Sequence, residues 1–545
     1  MENKELASLF NEMAGLMELH NENEFRIRTY ANAYLNLRKL DIELSGKTLP
    51  ELMEIQGVGK TIGEKILEIN TKGTFDSLEQ LRAKTPDGVR EMMKIKGIGP
   101  KKLKMIWKEM EIETPGELLY ACKENRLIQY KGFGVKIQED IVKSLEYYQA
   151  NQHSFLGPTA LEEAFSMEKI IKSMNPQLDI RLVGELSRGM STVDEINWLV
   201  NQDIQNFPNE LFIVSRNSHE INGIWSGSLP VKIIINGGPI DAYALISHTG
   251  GSSAFHTYLE LDKNHLNITD EREYFRSVNK NYIPPECRDL DDYHFFKEEE
   301  LINVQDIKGV IHNHSTYSDG LYSILEMAKE CIRLGYSYLV ISDHSKSAGY
   351  ANGLSMERVE MQWREIDQLN IQLAPFKIYK SIESDILSDG SLDYDDEILK
   401  GFDLVIASIH SNLKMNEEKA MLRLLRAIEN PYTRILGHPT GRLLLSRPGY
   451  PINYHKIIEA CISNGVVIEL NANPMRLDLD WRWISYAQEK GALISINPDA
   501  HNLKGIRDIG YGVQAARKGG LKKINCLNFK DIAEFDRWIL AKPQN

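Results

Sequence analysis

The stretch Ile311–Gly320 reads I-H-N-H-S-T-Y-S-D-G. His312 and His314 close a short apolar run, Gly309-Val310-Ile311, and Asp319 follows five residues after His314. Side chains two apart in an extended chain point to the same side, so this is a ready group of metal ligands. The pattern then recurs. Y-S-Y-L-V-I-S ends on Asp343 and His344, F-K-I-Y-K-S-I on Glu383, F-D-L-V-I-A-S-I on His410, and Y-T-R-I-L-G on His438. G-V-V-I-E-L ends on Asn471 and Asn473, and G-A-L-I-S-I-N-P on Asp499 and His501. Of 14 histidines in the chain, six sit at these ends. Core or capping histidines would not sort in this way.

The elements that must position these residues are strands and helices in alternation. Strand ends recur about every 27–40 residues with helix-like segments between. That is the rhythm of a β/α barrel with seven repeats, whose chemistry collects at the C-terminal strand ends. Over 305–545 the motifs H-x-H…S-D-G, S-D-H, I-E-x-D-I-L, H-S, G-H-P and D-A-H resemble the polymerase-and-histidinol-phosphatase (PHP) phosphoesterases. The resemblance implies nine ligands for up to three divalent ions: His312, His314, Asp319, His344, Glu383, His410, His438, Asp499 and His501. Mn²⁺ or Zn²⁺, or Fe²⁺, suits such a mixed set. On that resemblance Glu383 would be the bridging carboxylate, and Asp343 reads as a partner orienting a neighbour, with ligation its other reading. Ions held there would make hydroxide available at neutral pH for in-line attack on phosphorus. Arg442 in G-H-P-T-G-R and Arg476 in N-A-N-P-M-R are candidate phosphate clamps. Pro498 stands where a small polar residue is expected, and is read as shifting Asp499 slightly.

Length and composition set the frame. A chain of 545 residues, 42% hydrophobic and 26% charged, is an ordinary globular protein of three or four domains. No run of 18 apolar residues suggests a membrane span, and the start lacks a secretory pattern. Five scattered cysteines without a C-x-x-C fit the cytoplasm. The net charge is −13, yet residues 1–150 carry 23 Lys and Arg against 24 Asp and Glu. A locally basic face is therefore available in the first region.

Residues 5–40 show helical apolar spacing through Leu6, Leu9, Phe10, Met13 and Leu16, then Phe25, Ile27, Tyr30, Tyr34 and Leu37. Three related turns follow: I-Q-G-V-G-K at Ile55–Lys60, I-K-G-I-G-P at Ile95–Pro100, and Y-K-G-F-G-V at Tyr130–Val135. Each separates two helix-like stretches. This resembles the helix-hairpin-helix family, which holds the phosphate backbone of DNA. The glycine pairs Gly57/Gly59, Gly97/Gly99 and Gly132/Gly134 let the turn approach closely. The next helix offers free N–H groups, and Lys60, Lys65, Lys101, Lys102 and Lys136 add charge. The resemblance admits a monovalent cation at these turns.

Residues 150–300 follow a polar linker, Ala150–Ser154. They read as α/β: a helix at 158–174, strands near Asp179–Val183 and Val231–Ile235, and a further strand-like run at Tyr243–Ser247. With the preceding repeats, this resembles the palm of bacterial-type family X DNA polymerases. That palm uses Gly-Ser, Asp-x-Asp and a third Asp to hold two Mg²⁺ ions. Here Glu185 replaces the serine, Glu195 and Asn197 the two aspartates, and Lys232 the third. These side chains cannot form the anionic cradle, so the palm reads as degenerate. The thumb also reads as shortened. Lys65 falls where related repair polymerases keep a Schiff-base lysine, with a phosphate contact as the other reading.

The expected architecture is multidomain. An all-α N-terminal region has a lyase-like domain at 1–80 and two further helix-hairpin-helix motifs at 81–150. A degenerate palm with its thumb spans 151–290, and a distorted (β/α)7 PHP barrel spans 301–545. The expected function is a monomeric, cytoplasmic metallo-nuclease of DNA repair, including base excision repair. It would act at 3′ ends or abasic sites of gapped or nicked duplex. Other readings are a working gap-filling polymerase with proofreading, a small-molecule phosphatase of the histidinol-phosphatase type, and a non-catalytic DNA scaffold.

Overall fold

The computed structural model describes residues 3–541 except 39, 41, 43, 96, 150–153, 262–267 and 295. Most of the linker expected at 150–154 therefore lies outside the described residues. The chain divides into two compact units: Met1–Lys123 with Tyr130–Tyr148, and Glu124–Gln129 with Gln149–Asn545. No described helix is long and apolar enough to cross a membrane.

The regular elements of the first unit are helices. Asn3–Leu19 buries Leu6, Phe10, Met13, Leu16 and Met17 along one stripe. Phe10 stacks on Phe75 at 5.6 Å and on Tyr30 at 6.1 Å. Glu24–Leu37 begins where the Asn23 side chain accepts from the Phe25 and Arg26 N–H groups. Phe25, expected on the buried face, is 78% exposed. Five residues before Tyr30, it lies about 140° round the helix from that anchor.

The three glycine turns share one geometry. Gly57, Gly97 and Gly132 have φ of 88°, 93° and 99°, which suit glycine. The apolar residue between each glycine pair (Val58, Ile98, Phe133) is buried while both glycines are exposed. Gly59 and Gly99 cap the helices Lys60–Lys72 and Pro100–Lys108, and Val135–Gln149 starts right after Gly134.

In the second unit, Ile180–Val183, Ile196–Val200, Leu229–Ile235, Glu220–Trp225 and Leu211–Arg216 form a five-stranded mixed sheet in that order. Helix Gly157–Met174 covers it with Ala160, Ala164, Met167 and Ile171. Tyr243–Ser247 is not a strand. It lies in helix Ala242–Thr249, because Asp241 caps the first turn by accepting from the Ala244 N–H.

The remainder holds a nearly closed barrel of seven parallel strands in sequential order. They are Gly309–Val310, Tyr338–Ile341, Lys377–Asp385, Leu404–Ser408, Thr433–Leu436, Val467–Asn471 and Ile494–Asn497. A parallel bridge between Asn313 and Ala500 links the first and last strand ends. Alternation sorts the inward face into layers. At one end Tyr338, Val340, Tyr379, Leu404, Ile406, Ile435 and Val467 pack with Leu527 and Phe535. Two residues on, the small buried Ser342, Ser381, Ser408 and Ser495 leave room. Two further on, along three of these strands, stand His344, Glu383 and His410.

Arg423, on helix Glu417–Ile428, is fully buried and fixes two of the strand-end loops. It donates to the carbonyls of Ile386 at 2.5 Å, Leu387 at 3.0 Å and Ser411 at 3.0 Å. Arg423→Met removes the side-chain donor from the Ile386 and Ser411 carbonyls and leaves Leu387 with the Gly390 N–H alone, so we expect a loss of about 3 kcal/mol. A denaturation midpoint for barrel unfolding equal to that of the wild type would contradict this.

Candidate metal centre

The centre is assembled from the barrel's strand ends. Glu383 stands in the middle. His312 Nε2 lies 3.2 Å from its carboxylate, His438 Nε2 3.0 Å, His410 Nε2 3.1 Å, His344 Nδ1 3.0 Å and His314 Nε2 3.7 Å. Asp499 flanks it on one side, 3.0 Å from His314 Nε2 and 3.5 Å from His312 Nε2. Asp319 lies on the other, 3.4 Å from His501 Nε2 and 3.5 Å from His344 Nε2. All nine residues singled out in the sequence therefore converge. Pro498 does not take Asp499 out of the group.

Three of the nine are held in the left-handed backbone region: His312 at φ 63°, His438 at 21° and Asp499 at 53°. Such a conformation costs about 1–3 kcal/mol per residue and clusters at functional sites. Here it turns the side chain back over the barrel mouth.

The donor set fits divalent cations. His312 Nε2, both ring nitrogens of His344, His501 Nε2 and one oxygen each of Asp319 and Glu383 are buried without a hydrogen bond. Buried polar atoms are ordinarily paired, and atoms facing one another unbonded in this way suit a shared cation. The carboxylates and imidazoles also shift one another's charge. Burial alone would raise the Glu383 carboxyl, but His410, His312 and His344 hold it well below its usual range. Burial opposes protonation of His410, yet Glu383 and Asp385 lift it to about 10. Asp319 and Glu124 similarly lift His501 to about 10 against its burial. Burial takes His344 down to about 3, keeping it a neutral donor.

Carboxylates behind the imidazoles orient them. His312 Nδ1 lies 2.7 Å from Glu469 Oε2, and His410 Nδ1 2.5 Å from Asp385 Oδ1. Each pairing fixes the ring so that Nε2 is turned toward Glu383. Glu469 also accepts from the His438 N–H and the Asn471 and Asn497 amides. Neither carboxylate is obvious from sequence, although Asp385 lies in the I-E-x-D motif and Glu469 two residues before Asn471. The Asp343 carbonyl accepts from the Glu383 N–H at 3.1 Å, while its carboxylate bonds no candidate ligand side chain. Its carboxylate accepts from the N–H and hydroxyl groups of Ser315 and Ser318 and from Gln362, so it holds the loop between His314 and Asp319.

Arg442 is placed differently from its expected role as a phosphate clamp. Its guanidinium is committed to Asp480 and to the carbonyls of Arg476 and Leu477. It braces the loop that carries Arg476. Arg476 itself is buried, and its charge, after burial, helps push His438 down.

Of the lysines at the glycine turns, Lys60, Lys101 and Lys136 are exposed and Lys102 is half-buried with its ammonium 5.9 Å from the Phe133 ring. Lys65 is half-buried and paired with Glu68 at 2.6 Å. In the mixed sheet Asn197 and Lys232 are direct parallel partners. Lys232 pairs with Glu220 at 3.0 Å. Gly184, before Glu185, packs against the Asn197 side chain. Glu195 precedes Asn197 by two residues and is half-buried.

Residues 1–75 match the helix-hairpin-helix domain family, 89–146 the SAM-like helix-hairpin-helix tandem, and 311–473 the PHP domain family. The chain is 32% identical over 571 aligned residues to the DNA polymerase/3′-5′ exonuclease PolX of Bacillus subtilis, covering 99% of both chains. It is also 26% identical over 245 residues to a probable phosphatase of Thermoanaerobacter sp., covering 43% of this chain and 94% of that one. A probable phosphatase of Syntrophotalea carbinolica is 26% identical over 233 residues, 40% of this chain and 90% of its own.

Proposed function

Because the chain belongs to the bacterial family X DNA polymerases that carry a PHP domain, we propose that it is a metal-dependent DNA phosphodiesterase of repair. In this reading it trims 3′ ends or cleaves at abasic sites, and its palm no longer adds nucleotides. The observation that carries this is Glu383 ringed by five imidazoles, with Asp319 and Asp499 on either side. Mn²⁺, Zn²⁺ or Fe²⁺ held there supplies a hydroxide at neutral pH and offsets charge on phosphorus. The protein's own residues do the rest. Glu469 and Asp385 orient imidazoles, Asp343 shapes the His314–Asp319 loop, and buried Arg476 offers a positive charge close to His438.

The glycine turns hold the duplex by its phosphates, with or without a monovalent cation, and leave base identity unread. Gly97→Ala with Gly132→Ala places side chains at φ near 93° and 99°, at about 1–2 kcal/mol of strain each. We expect DNA affinity in a fluorescence titration to fall roughly tenfold or more as the turns rearrange. Unchanged affinity would remove the turns from the DNA interface. Lys65, paired with Glu68, is assigned a phosphate-proximal role and not that of a Schiff-base nucleophile. The four-part division given above, a monomer and a cytoplasmic setting complete the proposal.

The test is one incubation of the protein with Mn²⁺ and a labelled primer on gapped DNA, with and without nucleotides. The expected result is primer shortening that disappears in His312→Ala. Hydrolysis of histidinol phosphate with no shortening would instead favour the phosphatase reading, which the similarity to probable phosphatases makes the natural second choice.

A further inference from the structure

One carboxylate at the metal centre comes from far outside the barrel sequence. Glu124 follows helix Pro115–Lys123, among the helix-hairpin-helix segments, yet residues 124–129 pack as part of the second unit. Asn125 supports the turn. It takes φ 55°, which asparagine tolerates, and its side chain donates to the Asp319 carbonyl at 3.4 Å. Arg126 lies over the Tyr350 ring at 4.7 Å and pairs with one Glu124 oxygen at 2.5 Å.

Glu124 is 2% exposed, and neither of its oxygens makes a hydrogen bond. Ligand atoms of Glu124, Asp499 and His501 all lie within 4.8 Å of one another. His501 Nε2 is itself buried without a hydrogen bond. Two carboxylates so close in a buried setting call for positive charge beside them, which Arg126 and the raised His501 supply in part and a cation would complete. Arg126 answers part of the Glu124 charge. A carboxylate has lone pairs enough to serve a guanidinium and a metal together.

Building on the metal-dependent reading of the barrel, we propose that Glu124 is a metal ligand. With Asp499 and His501 it forms a cation position that ties the segment 124–129 to the barrel mouth. Divalent metal then does two things at once: it loads the hydrolytic centre and pins residues 124–129 beside it.

The test uses the full chain and Mn²⁺ alone, without DNA. Bound Mn²⁺ is counted by elemental analysis and titrated calorimetrically for wild type and Glu124→Gln, a near-isosteric change. Hydrogen exchange over 124–129 is followed with and without Mn²⁺. We expect Glu124→Gln to weaken the weakest-bound Mn²⁺ at least tenfold while the other Mn²⁺ stays bound, which also shows that the barrel is folded. We expect Mn²⁺ to slow exchange over 124–129 in wild type and not in the variant. The same Mn²⁺ affinities, or the same metal-dependent protection, in both proteins would overturn the assignment of Glu124 while leaving the barrel centre intact. If wild type binds no Mn²⁺, the reading of the barrel as a metal centre falls first.

Discussion

Glu383→Ala is expected to abolish phosphodiester hydrolysis, by roughly 10³-fold or more, or about 4 kcal/mol of transition-state stabilisation. The size follows from position. Every other carboxylate of the centre borders one side, whereas Glu383 contacts His312, His314, His344, His410 and His438. Removing it takes the shared negative charge from five imidazoles at once. It also leaves His410, which Glu383 lifts most strongly, with Asp385 as its main remaining anionic partner. Glu383→Gln separates charge from shape. It keeps the side-chain volume, so a barrel that stays folded yet loses Mn²⁺ and hydrolysis together locates the effect in the charge. Retained metal binding in both variants would displace Glu383 from the centre of the site. By comparison Glu469→Gln should cost less, on the order of 10–100-fold, because it only loosens the orientation of His312. The measurement is the rate of primer shortening at saturating Mn²⁺ and then across a Mn²⁺ titration.

Much of this was legible in sequence because the informative signals are local. Strands buried on both faces read as continuous apolar runs such as Leu404–Ser408, and five of the seven deliver a ligand just past their ends, with Glu383 standing inside Lys377–Asp385. The glycine turns are legible for the same reason: the positive φ of Gly57, Gly97 and Gly132 and the helix that follows are matters of a few residues. What stayed hidden depends on contacts between distant positions. Glu469 reads as one acid inside a strand until His312, 157 residues away, is placed against it. Glu124 reads as a charged residue after a helix until the fold sets it beside Asp499. Arg442 sits in a promising motif, but its geometry is decided by Asp480 and two carbonyls across the loop. Tyr243–Ser247 shows the local rule failing. Its apolar and aromatic content suits a strand, and the Asp241 cap decides for a helix.

In His312→Ala, nucleotides with Mg²⁺ or Mn²⁺ are expected to give no extension of a primer on gapped DNA. The variant matters because a working nuclease would erase extension products and disguise a weak polymerase. Once trimming is removed, any nucleotide addition must come from the palm. Three carboxylates have to meet there to hold two cations against a triphosphate. The parallel register instead puts Asn197 beside Lys232, and the lysine's charge is turned to Glu220. An ammonium at that place repels the cations the reaction needs, and an amide contributes no charge to offset it. Glu195 is one carboxylate where three are required, and Asp194 is exposed and accepts from the Ser154 hydroxyl. We expect nucleotide addition to lie at least roughly 10⁴-fold below a competent two-metal site, beneath detection in a gel assay. Even one added nucleotide in His312→Ala would show that Glu195 and its neighbours still assemble a working centre, and the nuclease would then be proofreading for the same chain.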